Sequence, residues 1–180
     1  MTKIVLLGYM GSGKSTIAQS LSEKTKIKVL DLDKIIENRT NLSIKTIFDT
    51  KGELYFRKLE HEIFKELMAS DEKLIISLGG GTPCYANNHE MLQGENVASF
   101  YLKGSIETLY GRLISIKENR PLIAEQSEDD MKEYIAKHLF DRSFYYNQAT
   151  HKISIDDKSV EEVVNDIVDT FVIYDESGNG

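Results

Sequence analysis

Five short apolar runs punctuate the chain, at Ile4–Leu7, Lys28–Leu30, Leu74–Ser77, Val97–Leu102 and Lys152–Ile155, each bounded by polar or glycine-containing segments. Runs of this length, rich in Val and Ile, read as strands buried on both faces. Between them the apolar spacing changes to that of helices. Ile106, Leu109, Tyr110 and Leu113 recur at i, i+3, i+4 and i+7, and Val160, Val163, Val164, Ile167, Val168 and Phe171 form one apolar stripe. Strands alternating with amphipathic helices predict an α/β fold around a parallel sheet. Neither a repeat nor an interdomain linker interrupts the alternation, so a single domain over 1–174 is expected, with "DESGNG" (175–180) as a frayed tail.

The glycines are concentrated where such a sheet binds ligands. "GYMGSGKST" (8–16) follows the first strand and matches G-x-x-x-x-G-K-[ST], with an apolar-periodic helix (Ile17, Ala18, Leu21) after it. A glycine-rich turn aims several backbone N–H groups inward, and the helix adds its positive N-terminal end, which suits an oligophosphate. Lys14 would reach the β- and γ-phosphates and the Ser15 hydroxyl would ligate Mg²⁺. A second cluster, "LGGGTP" (78–83), also follows a strand and offers consecutive N–H groups without side chains. The prolines Pro83 and Pro121 both lie in loop segments, and "SIKENRPLIAEQSEDD" (115–130) breaks the helical pattern as either a lid or a solvated connection.

Four stretches supply charge. "VLDLD" closes the second strand with Asp31 and Asp33; at i and i+2 of an extended segment the two carboxylates share a face. Alternatively Asp33 is the N-cap of the helix beginning "KIIENR". "GELYFRKLE" puts Glu53, Arg57 and Glu60 on one helix face, either as an arginine braced to bind a carboxylate or as an exposed row of ion pairs. Arg120, before Pro121, is placed to neutralise charge in phosphoryl transfer, and Arg142 in "DRSFYY" is a further basic candidate. His61, His89, His138 and His151 lack metal-ligand spacing and are read as structural.

Bulk properties narrow the partners. A formal charge of −7 argues against a nucleic-acid or anionic-membrane surface, although a local pocket for a small anion remains compatible. One cysteine, Cys84, precludes an internal disulfide and fits a reducing compartment. "DTKG" (49–52) lies between helical stretches and no N-K-x-D follows, which disfavours a GTPase; no strand ends in a clear Walker B pair, which disfavours a motor ATPase.

Taken in order, "GYMGSGKST", "DLD", the G-E-x-x-F-R-x-x-E run from Gly52 to Glu60, "GGG", "RPL" and "DRSFYY" resemble the shikimate kinase family over nearly the whole chain. The resemblance implies a P-loop, nucleoside-monophosphate-kinase-like fold. Its five-stranded parallel sheet would have order 2-3-1-4-5, with a substrate-binding subregion about 31–61 and a lid about 115–128. It implies transfer of the ATP γ-phosphoryl group to the 3-hydroxyl of shikimate, in a cytoplasmic, monomeric enzyme with no nucleic-acid or membrane partner. By resemblance, Gly11, Ser12, Gly13, Lys14, Ser15 and Thr16 hold the ATP phosphates, and Ser15 binds Mg²⁺ with Asp31 assisting. Asp33 contacts ring hydroxyls and is the base, Arg57 and Arg142 pair with the shikimate carboxylate, and Gly79, Gly80 and Gly81 line the ring. Arg120 is the lid arginine and Arg112 packs on adenine. Phe144 stands where the family motif has proline, and "DDKSVEE" after Ile155, by resemblance the adenine-loop region, lacks a proline found in some members. The rival readings are a gluconate-type kinase of the same fold, or an idle ATP-binding module.

Overall fold

In the computed structural model, residues 3–117 and 127–177 are described, with side chains described over 3–115 and 127–170. Arg120, Pro121, most of the expected lid, and the Phe171 side chain lie outside these residues. Five parallel strands, β1 (Lys3–Leu7), β2 (Lys28–Asp31), β3 (Leu74–Ser77), β4 (Val97–Lys103) and β5 (His151–Ser154), form one sheet in the order β2-β3-β1-β4-β5. The order is the one the resemblance implies, and strand ends depart from expectation by a single residue.

β1 takes the central position because all five of its residues can be buried. Ile4 is registered between Ile75 and Ala98, and Val5, Leu6 and Leu7 have no exposed surface. Each such side chain contributes roughly 1.5–3 kcal/mol by leaving water. Lys3, also buried, satisfies its ammonium on the carbonyls of Ser70 and Glu72 at 2.6 and 2.7 Å.

Helices cover both faces. α1 (Lys14–Thr25) buries Ile17, Ala18 and Leu21, and packs beside α6 (Val160–Ser177), which buries Val163, Val164 and Ile167. Val160, expected on that apolar stripe, is 40% exposed because it faces a cavity beside α1. α6 continues to Ser177, into the segment expected as a tail. α2 (Leu32–Thr40) and α3 (Ile44–Ala69) follow β2; α3 bends at Gly52, whose φ of +82° and ψ of 167° interrupt its helical backbone. α4 (Ile106–Lys117) buries Leu109 and Leu113, as its spacing predicts. α5 (Glu128–Tyr146) starts at Ser127, whose hydroxyl accepts from the Asp130 N–H, with Glu128, Asp129 and Asp130 favourably placed in its first turn.

This strand order decides where the chemistry collects. Because β3 lies between β1 and β2, the loops leaving the carboxyl ends of all three emerge side by side: "GYMGSGKST", "DLD" and "LGGG".

Candidate active site

The phosphate loop runs from Gly8 into α1. Gly13 is the N-cap of that helix with φ +84°, a left-handed conformation that glycine adopts without steric cost. Lys14 reaches back across the loop, and its Nζ donates to the carbonyls of Gly8 (2.8 Å) and Tyr9 (3.0 Å). Burial pushes the Lys14 pKa down to about 8, with Asp33 and then Asp31 acting in the opposite sense. Beside it the Ser15 hydroxyl donates to Asp31 Oδ2 at 2.9 Å.

Asp31 also caps α2, its Oδ1 accepting from the Lys34 N–H at 3.2 Å. This corrects two sequence expectations. The helix begins at Leu32, so Asp33 is neither its N-cap nor part of an extended segment; it occupies the first helical turn. The reason is that Leu32 is drawn fully into the core, which starts the helix two residues earlier and leaves the cap to Asp31. Asp33 still turns toward the site. Its Oδ1 lies 3.1 Å from where a Cβ on Gly79 would stand, and its pKa is pushed up to about 6 by burial, then by Asp31 and Glu60, against the pull of Lys14.

On α3, Arg57 is braced as one of its two readings required. Its Nε donates to Glu53 at 3.3 Å and its Nη1 to Glu60 at 2.9 Å. Only the Glu53 end of the row is exposed, at 54%: the Glu60 side chain is 1% exposed and that of Arg57 17%. Glu60 accepts a second hydrogen bond, from the Thr82 hydroxyl at 2.6 Å, so the "GGGT" loop and the arginine share one buried carboxylate. On α5, the Arg142 Nη1 donates to the Gly80 carbonyl at 3.4 Å and its guanidinium lies 5.5 Å from the Tyr9 ring centre. The Tyr146 hydroxyl donates to the same carbonyl at 2.6 Å, which fixes Gly80 beneath Arg142.

The three glycines of "LGGG" thus each meet one functional side chain. Built Cβ atoms at Gly79, Gly80 and Gly81 would lie 3.1 Å from Asp33, 3.4 Å from Arg142 and 2.8 Å from Arg57 respectively. A side chain at Gly81 would displace the guanidinium; the close approach explains the glycine. Gly80 also borders the phosphate loop, 3.5 Å from the Gly8 carbonyl by the same measure. A carboxylate, two guanidinium groups and a phosphate loop therefore surround one patch of bare backbone.

On the other flank of the loop, a cavity of about 300 Å³ is lined by Gly11, Thr16, Arg112, Lys158, Ser159 and Val160, among others. Arg112 is held by the carbonyls of Ser12 (3.2 Å) and Ile155 (3.5 Å), which links the phosphate loop to the "DDKSVEE" segment. The resemblance pointed to this segment after Ile155 as the adenine loop, but not to Lys158, Ser159 and Val160 as the residues that line the cavity. Tyr85 and Thr82 were missed as well; an aromatic residue and a hydroxyl just after a triglycine loop are the only signal they leave.

Among the described residues no cluster of three or more His, Cys, Asp or Glu side chains is arranged to hold a metal ion. The Ser15–Asp31 pair nevertheless offers two hard oxygen donors in contact. That number fits Mg²⁺, which is commonly bound by one or two protein oxygens together with substrate phosphates.

A phosphate loop at the carboxyl edge of a 2-3-1-4-5 parallel sheet, with an acceptor site beside it, defines a P-loop phosphotransferase. Residues 10–172 match the profile of the family described as shikimate kinase. A shikimate kinase of Flavobacterium johnsoniae is 64% identical over 94% of this chain and 98% of its own length. Among solved structures, the shikimate kinase of Bacteroides thetaiotaomicron superposes with a TM-score of 0.84 at 29% identity, covering 94% of this chain and 98% of that one. The shikimate kinase of Acinetobacter baumannii, solved in complex with shikimate, superposes with a TM-score of 0.83 at 29% identity, covering 97% and 94%. The chain belongs to the shikimate kinase family, and its activity is the ATP-dependent phosphorylation of shikimate.

Proposed function

We propose that the chain transfers the ATP γ-phosphoryl group to the 3-hydroxyl of shikimate, giving 3-phosphoshikimate and ADP. The observation that carries this reading is the placing of Asp33, Arg142 and Arg57 against Gly79, Gly80 and Gly81, next to the phosphate loop. Arg57 and Arg142 bind the acceptor carboxylate from two sides of the glycine loop. Its ring rests on the bare backbone, and its hydroxyl meets Asp33. Asp33 accepts the hydroxyl proton as the oxygen bonds to the γ-phosphorus; the bond from that phosphorus to the β,γ-bridging oxygen breaks and ADP leaves. Lys14, with the N–H groups of Gly11 to Thr16, holds the phosphates and their developing charge. Mg²⁺, when held by Ser15 and Asp31, supplies further neutralisation of phosphate charge.

Arg112 and the cavity beside it receive the adenine. Arg120, outside the described residues, is assigned to the ATP phosphates by family pattern alone. The excess of acidic over basic side chains supports a protein with neither nucleic acid nor an anionic membrane as partner, and the lone Cys84 fits a cytoplasmic enzyme, read as a monomer working on small molecules. A single kinase domain, reaching to the end of α6 at Ser177, completes this reading.

A coupled assay of ADP release with shikimate, quinate and gluconate tests the assignment. Turnover with shikimate far above that with gluconate is expected, because gluconate carries its carboxylate on a flexible open chain, which does not hold a hydroxyl at Asp33 while both arginines bind the carboxylate. Equal rates with gluconate would overturn it.

A further inference from the structure

Tyr85 has no place in the assignments above, and its surroundings are built rather than incidental. Its ring centre lies 3.9 Å from the Arg57 guanidinium carbon, closer than Phe56 at 5.0 Å or Phe48 at 6.0 Å. The loop that carries it is pinned to α3 on both sides. Before it, Thr82 bonds the buried Glu60; after it, the Asn88 amide oxygen contacts His61 Nδ1 at 2.7 Å while its amide nitrogen donates to the Thr82 carbonyl at 2.9 Å. Between these anchors the chain turns back through Ala86 and Asn87, both left-handed with φ of +49° and +56°. An alanine held in that region is strained, so the turn persists only because its surroundings impose it. Its effect is to place Tyr85 over Arg57.

Arg57 has Glu53 on Nε, Glu60 on Nη1 and the Gly81 backbone beside Nη2, so its fork is restrained within its plane. The stacked Tyr85 ring covers a face of that plane. Tyr85 is also 39% exposed, which leaves part of the ring at the outer border of the acceptor site. We propose that Tyr85 is a positioning and specificity-determining residue: it holds the Arg57 guanidinium flat against the triglycine loop, so that an acceptor carboxylate pairs with the fork edge-on. This rests on the reading of Arg57 as the carboxylate-binding arginine.

The test is steady-state kinetics on Tyr85→Ala, Tyr85→Phe, Tyr85→Leu, Arg57→Ala and the Arg57→Ala/Tyr85→Ala double variant, each confirmed as folded by circular dichroism. Tyr85→Ala is expected to raise the shikimate KM about 3- to 20-fold, the range of a partly desolvated cation–π contact, with kcat and the ATP KM within twofold of wild type. Tyr85→Phe should restore the wild-type KM, since the aromatic face and not the hydroxyl does the work, whereas Tyr85→Leu should not. In the Arg57→Ala background the Tyr85→Ala change should add nothing, because the tyrosine acts through the arginine. The methyl ester of shikimate, which lacks the anionic carboxylate, should show no KM difference between wild type and Tyr85→Ala. An unchanged shikimate KM in Tyr85→Ala, or Leu restoring as well as Phe, overturns the proposal. An unchanged shikimate KM in Arg57→Ala overturns instead the reading on which it rests.

Discussion

Asp33→Asn separates catalysis from stability at one residue, with opposite expected signs. The Asp33 pKa is pushed from an ordinary 3.8 to about 6, mainly by burial and then by Asp31 and Glu60. A carboxyl whose folded pKa lies above its unfolded value binds its proton more tightly in the native state. Ionising it therefore costs stability: nothing below pH 3.8, progressively more as pH rises, and the full amount above pH 6. A rise of about two pH units corresponds to about 3 kcal/mol at pH 8. Asparagine cannot ionise, and it forfeits no helix cap, since Asp31 holds that role. At about 2–4 °C per kcal/mol for a chain of this size, Asp33→Asn should melt about 6–12 °C above wild type at pH 8. The two curves should converge near pH 4. Turnover should move the other way, falling about 10²- to 10⁴-fold with loss of the general base, and the acid limb of kcat/KM near pH 6 should disappear. Differential scanning calorimetry from pH 4 to 8 and the ADP-coupled assay measure both on one preparation. Wild-type kcat in the variant would refute the base assignment; a melting temperature at pH 8 no higher than wild type would refute the electrostatic account of the raised pKa.

Three further outcomes are expected. Lys14→Met should lose at least 10²-fold in kcat while remaining folded, and wild-type kcat/KM for ATP should decline above about pH 8 as the free enzyme's Lys14 loses its proton; a flat profile to pH 9.5 would count against that pKa. Arg57→Ala should raise the shikimate KM about tenfold to several hundredfold with little change in the ATP KM, and Gly81→Ala should do the same more mildly by displacing the guanidinium; equal effects on both substrates would make the row structural. Arg112→Ala should raise the ATP KM and leave that of shikimate unchanged, because Arg112 borders only the cavity on the far flank of the phosphate loop; isothermal titration with a non-hydrolysable ATP analogue checks it directly.

Local features of this protein were legible in the sequence because they depend on neighbours a few residues apart. The strand cores, the helix faces of α4 and α6, the phosphate loop and the Glu53–Arg57–Glu60 spacing all follow from continuous apolar runs, the helical period of 3.6 residues and glycine chemistry. Even there, the choice between an exposed ion-pair row and a braced clamp stayed open, because the burial of Glu60, at 1% exposure, and its bond to Thr82, 22 residues away, are tertiary. The cap of α2 stayed open for a similar reason: local rules allow Asp31 and Asp33 alike, and the burial of Leu32 decides for Asp31. Only the tertiary structure set Asp33, Arg142 and Arg57 on three consecutive glycines, bringing together helices that start almost a hundred residues apart. It also placed Val160 on a cavity rather than in the core, and Tyr85 on Arg57. Such contacts depend on the order in which β1, β2 and β3 lie side by side. That order is a property of how whole layers pack, and no single stretch of sequence carries it.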